Sequence, residues 1–249
     1  MKNYMKMTGI LSILLIVIQT AWAEESLKAE EILKKVDEVL SAPKDLSALM
    51  KINIINKNGE TKKREVQLYQ KGANKRLVKV LSPADQKGIG FLSLPDDLLY
   101  VYLPAYKKTR RIAAHVKNQK FVGTDFTYED LEAKRYADKW QSEGLKNEGE
   151  FYLLILTPKP GHISEYARVN LYVRKDDFFP VKSEFFNKKG MMIKQMEIPK
   201  TEKIKEYLIP KNYVMQDLRS GNRTEIVLEE IKVDTGLKDE IFTERNLAQ

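Results

Sequence analysis

The stretch YVYLPAYKKTRRIAAHVKNQKFVGTDFTYEDL, residues 100–131, links two groups of strand-like segments in this chain. Its first four residues continue an apolar strand, its middle is strongly basic, and its end is aromatic and acidic. Thr127 and Asp130 have the spacing of a capping box, in which each side chain bonds the other residue's backbone N–H. We therefore interpret the stretch as a connection within a β-sheet protein, ending at a capped helix start that lies over the apolar face of the sheet.

Segments with alternating apolar and polar residues lie on both sides of this connection, and a period of two indicates β-strands. We predict about eleven antiparallel strands, joined by short turns. They cover residues 48–54, 65–68, 75–81, 88–94, 98–103, 151–157, 165–174, 178–186, 191–198, 212–219 and 224–233. A further strand over residues 203–209 has a weaker pattern. The Asn58-Gly59 pair predicts a hairpin turn with positive φ at both positions.

Three segments have helical patterns. Residues 26–40 form an amphipathic repeat with Ser26 as the predicted N-cap and Pro43 just beyond the end. Residues 133–144 are predicted to be helical and irregular, and residues 239–247 form a short amphipathic segment. Many short strands with few helices predict a mainly β (α+β) fold, as a barrel or a strongly curved sheet. Its apolar face must be filled by side chains, covered by helices or shared with a ligand.

The N-terminus has the organisation of a secretory signal peptide. Lys2 and Lys6 precede an apolar core at residues 9–18, and Ala21-Trp22-Ala23 matches a peptidase cleavage site. We predict that residues 1–23 are removed and that residues 24–249 form a single domain; an uncleaved anchor is the alternative. Glu24 follows the cleavage site where a lipoprotein would carry cysteine, so we expect an unanchored periplasmic protein.

The composition excludes several kinds of chemistry. The chain has no cysteine, which excludes thiol catalysis and thiolate metal sites, and its two histidines, His115 and His162, lack further ligands at metal-binding spacing. No phosphate-binding loop or hydrolase motif is present. Asp125, Glu129 and Asp130 could form an acid–base pair or a cation site, but helix capping explains them more simply. We predict no catalytic residue, no cofactor and no metal, and therefore not an enzyme.

A basic run follows the apolar strand of the connection. The net charge of the chain is +8, and Lys107, Lys108, Arg110 and Arg111 concentrate positive charge here. Export argues against nucleic acid as a partner. An ordinary solvated surface is the default interpretation of such a run, and transient contact with lipid headgroups or with an acidic partner protein is the more specific alternative.

The motifs of the connection resemble those of the LolA-like outer-membrane lipoprotein-sorting proteins. The matching residues are Tyr102-Leu103-Pro104-Ala105, Lys108-x-Arg110-Arg111-Ile112 and Phe121-x-Gly123-Thr124-Asp125-Phe126-x-Tyr128-Glu129-Asp130-Leu131, followed later by Phe178-Phe179-Pro180-Val181-Lys182 and Ile241-Phe242-Thr243. The resemblance covers the whole predicted mature chain as one LolA/LolB-like domain. It implies an incomplete antiparallel β-barrel with helices covering its concave face.

The resemblance also implies a soluble periplasmic carrier that shields acyl chains between membranes. The central motif is similar to a divergent branch of the family, so lipoproteins, other lipids or compounds delivered by an inner-membrane exporter are all possible cargo, with an outer-membrane acceptor. A non-enzymatic envelope scaffold, accessory to such an exporter, is the alternative function. An envelope hydrolase would need a convergent polar cluster that the sequence does not indicate.

Apolar residues of the alternating strands are the candidates for a ligand cavity, although each could equally belong to an ordinary core. They are Met50, Ile52, Val66, Leu68, Val101, Val169, Leu171, Phe185 and Met196. Four residues at the end of the connection are candidates for a lid over that cavity, namely Phe121, Phe126, Tyr128 and Leu131.

Overall fold

The computed structural model describes residues 27–249, so the predicted signal peptide and the predicted N-cap Ser26 lie outside the described residues. The helices are α1 (Ala29–Leu40), α2 (Tyr128–Leu131), α3 (Tyr136–Lys139) and α4 (Glu244–Leu247). The strands are β1 (Asp45–Ile55), β2 (Thr61–Lys71), β3 (Lys75–Ser82), β4 (Gly90–Leu94), β5 (Leu98–Leu103), β6 (Lys108–Arg111), β7 (Trp140–Glu148), β8 (Phe151–Pro158), β9 (Arg168–Arg174), β10 (Pro180–Phe186), β11 (Met192–Glu197), β12 (Thr201–Ile204), β13 (Tyr207–Pro210), β14 (Asn212–Asp217) and β15 (Asn222–Val233).

Thirteen of the strands form one open antiparallel sheet. Their order is β6-β5-β4-β3-β2-β1-β15-β14-β11-β10-β9-β8-β7, and β12 and β13 form a separate hairpin. The first and last strands in sequence, β1 and β15, pair at the centre of the sheet, while β6 and β7 lie at its two edges. The predicted mainly β, antiparallel and unclosed architecture is confirmed.

The predicted number of about eleven strands is wrong, because both edge strands were missed. The strand β6 consists of charged residues and threonine, and β7 is largely polar. The expected helix over residues 133–144 is confined to α3, and the chain pairs with β8 from Trp140 onward. Edge strands pair on one side only and tolerate charge there, so they lack the apolar alternation that marks central strands. The weak segment 203–209 is part of the β12–β13 hairpin.

The hairpin between β1 and β2 differs from the expected two-residue turn. Gly59 has a φ of +87°, but Asn58 is not among the residues with positive φ. The Asn56 N–H donates to the Glu60 carbonyl and the Gly59 N–H to the Asn56 carbonyl, which closes a three-residue loop. In such a loop a single left-handed glycine is sufficient.

The main core covers one face of the sheet. Ile32, Leu33 and Val36 of α1 are fully buried in it, together with alternating strand residues and Phe121. The end of α1 at Leu40, before Pro43, is as predicted, and its N-cap is Lys28. The core therefore includes a helix on the sheet; that the covered face is concave stays a prediction.

A smaller cluster lies on the opposite face, where Leu77 and Leu92 meet Phe242 and Leu247 from the C-terminal segment. Neighbouring residues of a strand point to opposite faces. Gly90 permits this approach, since an added Cβ would lie 2.6 Å from Leu247 Cδ1. Within residues 27–249, no helix is long and apolar enough to span a bilayer.

Candidate ligand-binding cavity

A cavity of about 250 Å³ lies between the core face of the sheet and the segments that cover it. The sheet contributes strands β1 to β3, β10, β11, β14 and β15, and the cover consists of the end of α1, residues 126–139 and the β12–β13 hairpin. The apolar lining residues are Leu40, Pro43, Leu46, Met50, Leu68, Ala73, Val78, Phe126, Leu131, Pro180, Met196, Ile198, Leu208, Ile209, Pro210, Ile226 and Leu228. The lining of the cavity is thus largely apolar, with charged side chains at several positions.

Three of the nine predicted cavity residues line this space: Met50, Leu68 and Met196. The other six are buried elsewhere in the main core, at 0–9% exposure, where neighbouring side chains fill the space: Ile52, Val66, Val101, Val169, Leu171 and Phe185. Periodicity identifies the buried face of a strand, but it does not distinguish a residue beside an empty volume from one against packed neighbours.

Three of the four predicted lid residues lie in the cover, and Phe121 lies just before it in the sequence. Phe126 and Leu131 line the cavity. Phe121 and Tyr128 instead pack against Phe91 of β4, with ring centroids 6.2 and 5.7 Å away. The structure therefore places all four against the core face; whether the segment opens stays a prediction.

The predicted capping box at the start of α2 is confirmed. Thr127 accepts a hydrogen bond from the Asp130 N–H at 3.3 Å, and the Asp130 carboxylate accepts one from the Thr127 N–H at 2.8 Å. Asp130 also has partners that the capping interpretation did not include. Its carboxylate accepts hydrogen bonds from the Tyr166 hydroxyl at 2.8 Å and from Lys194 Nζ at 3.1 Å.

Lys194 is the centre of a buried polar cluster beneath the cover. Its side chain is 0% exposed, and its ammonium also donates to the Tyr166 hydroxyl at 2.9 Å. Burial raises the pKa of Tyr166 well above its usual value, and the nearby Asp130 carboxylate acts in the same direction, so the phenol stays protonated. A buried ammonium with a carboxylate partner fixes α2 to β11 at the sheet.

A second buried contact holds the segment just before α2. Asp125 is fully buried and accepts hydrogen bonds from Lys120 at 2.7 Å and from the Thr224 hydroxyl at 2.8 Å. Lys120 also pairs with Asp217 at 3.0 Å. Burial alone would raise the pKa of Asp217, but hydrogen bonds from Arg219 and Lys120 lower it to about 2.

One further ion pair and one further hydrogen bond attach the cover to the rest of the protein. Lys117 Nζ lies 3.1 Å from Glu132 Oε1, with both side chains buried, and the buried Glu129 accepts a hydrogen bond from the Ser164 hydroxyl. The acidic residues of the connection are thus structural partners of lysines and hydroxyls. Within residues 27–249, no cluster of three or more potential metal-binding side chains is present.

Arg76 joins the sheet wall to the cover. Its guanidinium donates to the Leu131 carbonyl at 2.9 Å and to the Gln70 side-chain carbonyl at 2.7 Å. Lys139, in α3, also lines the cavity. Burial lowers the pKa of both basic groups.

The sequence interpretation missed Arg76, Lys139, Tyr166 and Lys194. For Lys194 a signal existed, because it lies two residues before the cavity candidate Met196 on the same strand and so shares its face. The other three carry no such signal, since their partners are distant in sequence.

The basic run is exposed. Lys107, Lys108, Arg110 and Arg111 lie in or beside β6 at the sheet edge, and the neighbouring Tyr106 is 66% exposed. Lys117 and Lys120, which follow later in the sequence, form the ion pairs described above. The edge of the sheet therefore presents a row of exposed cations beside one aromatic side chain.

Several proteins of known structure share this open antiparallel fold. A DUF1329 family protein from Desulfovibrio piger superimposes with a TM-score of 0.79 at 26% identity, covering 88% of this chain and 97% of that one. An outer membrane lipoprotein-sorting protein domain from Vibrio parahaemolyticus gives 0.79 at 24% identity, covering 89% and 100%. A LolA superfamily protein from Nitrosomonas europaea gives 0.73 at 22%, with the same coverage.

A protein-family model described as "Uncharacterized protein" matches residues 72–249, and the chain belongs to that family. A search of the curated proteins found no match. The structural matches confirm the resemblance to LolA-like proteins that the motifs of the connection indicated. At these identities the second and third matches establish the fold.

Proposed function

We propose that the protein is a periplasmic carrier that holds the acyl chains of lipoproteins or other lipids in its cavity and transfers them towards the outer membrane. The observation that carries this proposal is the apolar cavity of about 250 Å³ between the sheet and its cover. A packed interior normally leaves few voids larger than a water molecule. A space of this size, lined by methionines and branched aliphatic side chains, is suited to an apolar ligand.

The energetics of the site fit reversible binding. Burial of one acyl methylene contributes about 0.8 kcal/mol, so a short length of chain gives useful affinity without a covalent step. The cover limits access, because Phe126 and Leu131 lie over the space and Arg76 holds the Leu131 carbonyl. Release of a ligand then requires this cover to move, and the buried ion pairs beneath it set the free energy of that movement.

The surroundings of the site suggest how the carrier is used. In this proposal the predicted signal peptide directs the protein to the periplasm. The exposed cations Lys107, Lys108, Arg110 and Arg111 lie at the sheet edge, where they would meet anionic headgroups transiently or an acidic surface of an exporter or acceptor. Nucleic acid is not among the proposed partners.

A scaffold without a ligand is the second candidate, and one observation favours it. Six of the nine sequence-predicted cavity residues are packed in the core, so side chains fill much of the sheet face. In that case the cavity would stay empty and the basic edge alone would bind a partner.

Organic extraction of protein purified from a native periplasm separates the two functions. We expect lipid or lipopeptide at up to one molecule per protein by mass spectrometry. Met196→Trp puts a larger side chain into the cavity and should abolish the bound ligand. The matched change Met191→Trp, at a 54% exposed position, should leave the amount of bound ligand unchanged. Repeated absence of ligand from the wild-type protein, or equal retention by both variants, would refute the carrier.

A further inference from the structure

Most of the charged side chains that line the cavity are already engaged. The Asp37 carboxylate accepts hydrogen bonds from the Tyr136 N–H at 2.6 Å and the Ala137 N–H at 2.9 Å, at the start of α3. Asp130 is paired with Lys194, and Glu132 with Lys117. Each carboxylate of the lining therefore already has at least one protein donor.

The cations of the lining are different. Lys134 pairs with Asp97 at 2.6 Å, and Arg135 is exposed to solvent. Lys139 and Arg76 are partly buried, and neither forms an ion pair with any carboxylate in the part of the chain that the structure describes. The hydrogen bonds of Arg76 go to neutral carbonyl oxygens. Two cations of the lining thus have no carboxylate within ion-pair distance among residues 27–249, although carboxylates that are paired elsewhere lie in the same lining.

This arrangement has an energetic cost that a ligand would relieve. Desolvation lowers the pKa of Lys139, and the more distant carboxylates of Glu132, Glu129 and Asp130 do not offset it. A buried charge is stable only when it is paired and hydrogen-bonded. An anionic group in the cavity would supply that pairing for Lys139 and would meet Arg76 as a second donor.

We propose that the cavity selects an amphiphile with an anionic headgroup, a carboxylate or a phosphate, held by Lys139 and Arg76. This assignment rests on the proposed carrier function and adds the chemistry of the ligand's polar end. The apolar chain then lies against the sheet residues Met50, Leu68 and Met196 on the other side of the same space. A volume of about 250 Å³ is just below the range of roughly 300–1,000 Å³ of small-molecule sites, which suits one chain rather than several.

The test compares three ligands that share one chain: oleate, oleyl phosphate and oleyl alcohol. Binding is measured on the delipidated full-length mature protein by displacement of a fluorescent apolar probe. We expect oleate or oleyl phosphate to bind at least roughly tenfold more tightly than the alcohol, the ratio that one charge-assisted hydrogen bond in a partly buried site supplies. The better of the two anions identifies the headgroup.

A variant assigns the selectivity to the cavity. Lys139→Met keeps a flexible linear side chain, one atom shorter, and removes its charge. It should reduce the preference for the anion to less than about threefold, with a smaller change in the affinity for oleyl alcohol than in that for the anions. The matched control, Lys188→Met, removes an exposed lysine that lies outside both the cavity and the basic run, and it should keep the full preference.

The outcomes distinguish this inference from the function beneath it. Equal affinity of the wild-type protein for oleate, oleyl phosphate and oleyl alcohol would overturn the headgroup assignment and leave the carrier intact. An equal loss of affinity for all three ligands in Lys139→Met would overturn the headgroup assignment as well. Failure of every ligand to bind the wild-type protein would refute the carrier and the inference together.

Discussion

Removal of the carboxylate of Asp130 should destabilise the protein strongly. The carboxylate is 6% exposed and pairs with Lys194, whose side chain is 0% exposed. The change Asp130→Asn leaves this ammonium with Glu165, whose nearest oxygen is 3.7 Å away. Breaking a buried ion pair by removal of one partner costs about 3–5 kcal/mol. We expect a value near 3 kcal/mol because Glu165 retains part of the attraction.

Urea unfolding of the wild-type protein, Asp130→Asn, Lys194→Met and the double variant measures this free energy. The double variant should recover at least about 1 kcal/mol of the loss, since replacing both charges of a buried pair is often close to neutral. The control is Glu229→Gln, which breaks the exposed pair of Lys51 and Glu229 at 2.9 Å and should cost less than about 1 kcal/mol. A cost below 1 kcal/mol for Asp130→Asn, or strict additivity in the double variant, would refute the argument.

Three further predictions concern pH, the C-terminus and the cover. The pKa of Asp217 in the folded protein, about 2, lies below the unfolded value of 3.8. The carboxylate therefore stabilises the fold above about pH 4, and that contribution is lost as the pH falls towards 2. In Asp217→Asn the unfolding midpoint should depend less on pH over that range. Leu247→Ala removes a 1% exposed side chain and should cost about 2–4 kcal/mol in urea unfolding. Arg76→Met removes the hydrogen bond to the Leu131 carbonyl, and amide exchange at Leu131 should rise roughly tenfold.

Each of these predictions has a result that contradicts it. An Asp217→Asn profile parallel to that of the wild type would show that the ion pair does not control acid stability. A loss below 1 kcal/mol for Leu247→Ala would mean that the C-terminal helix is not part of the folded unit. Unchanged exchange at Leu131 in Arg76→Met would show that other contacts alone hold the cover.

The central strands were predictable from sequence because burial on one face imposes a period of two. The nine-residue strand β7 was not, because its sequence WQSEGLKNE is mostly polar and only Trp140 is buried. Its strand conformation follows from pairing with β8, a tertiary effect that local propensity does not contain. The basic strand β6 was missed for the same reason.

The site was predictable only in part. Alternation identified the face that carries Met50 and Met196. The position of the cavity depends on where neighbouring side chains leave space between them, and that is decided by tertiary packing. Asp130 was correctly assigned as a cap because capping is local in sequence. Its ion pair with Lys194 joins residues 64 positions apart, so no local sequence pattern predicts this contact.

Single-cysteine labelling tests the central claim, that the cavity binds an apolar chain, most directly. The chain contains no cysteine, so Met196→Cys places one thiol in the cavity and Met191→Cys places one at an exposed position nearby. The rate of maleimide labelling of each variant is measured with and without saturating oleyl alcohol and oleate. The carrier predicts strong protection of Met196→Cys and none of Met191→Cys; equal labelling rates for Met196→Cys with and without either ligand would contradict it.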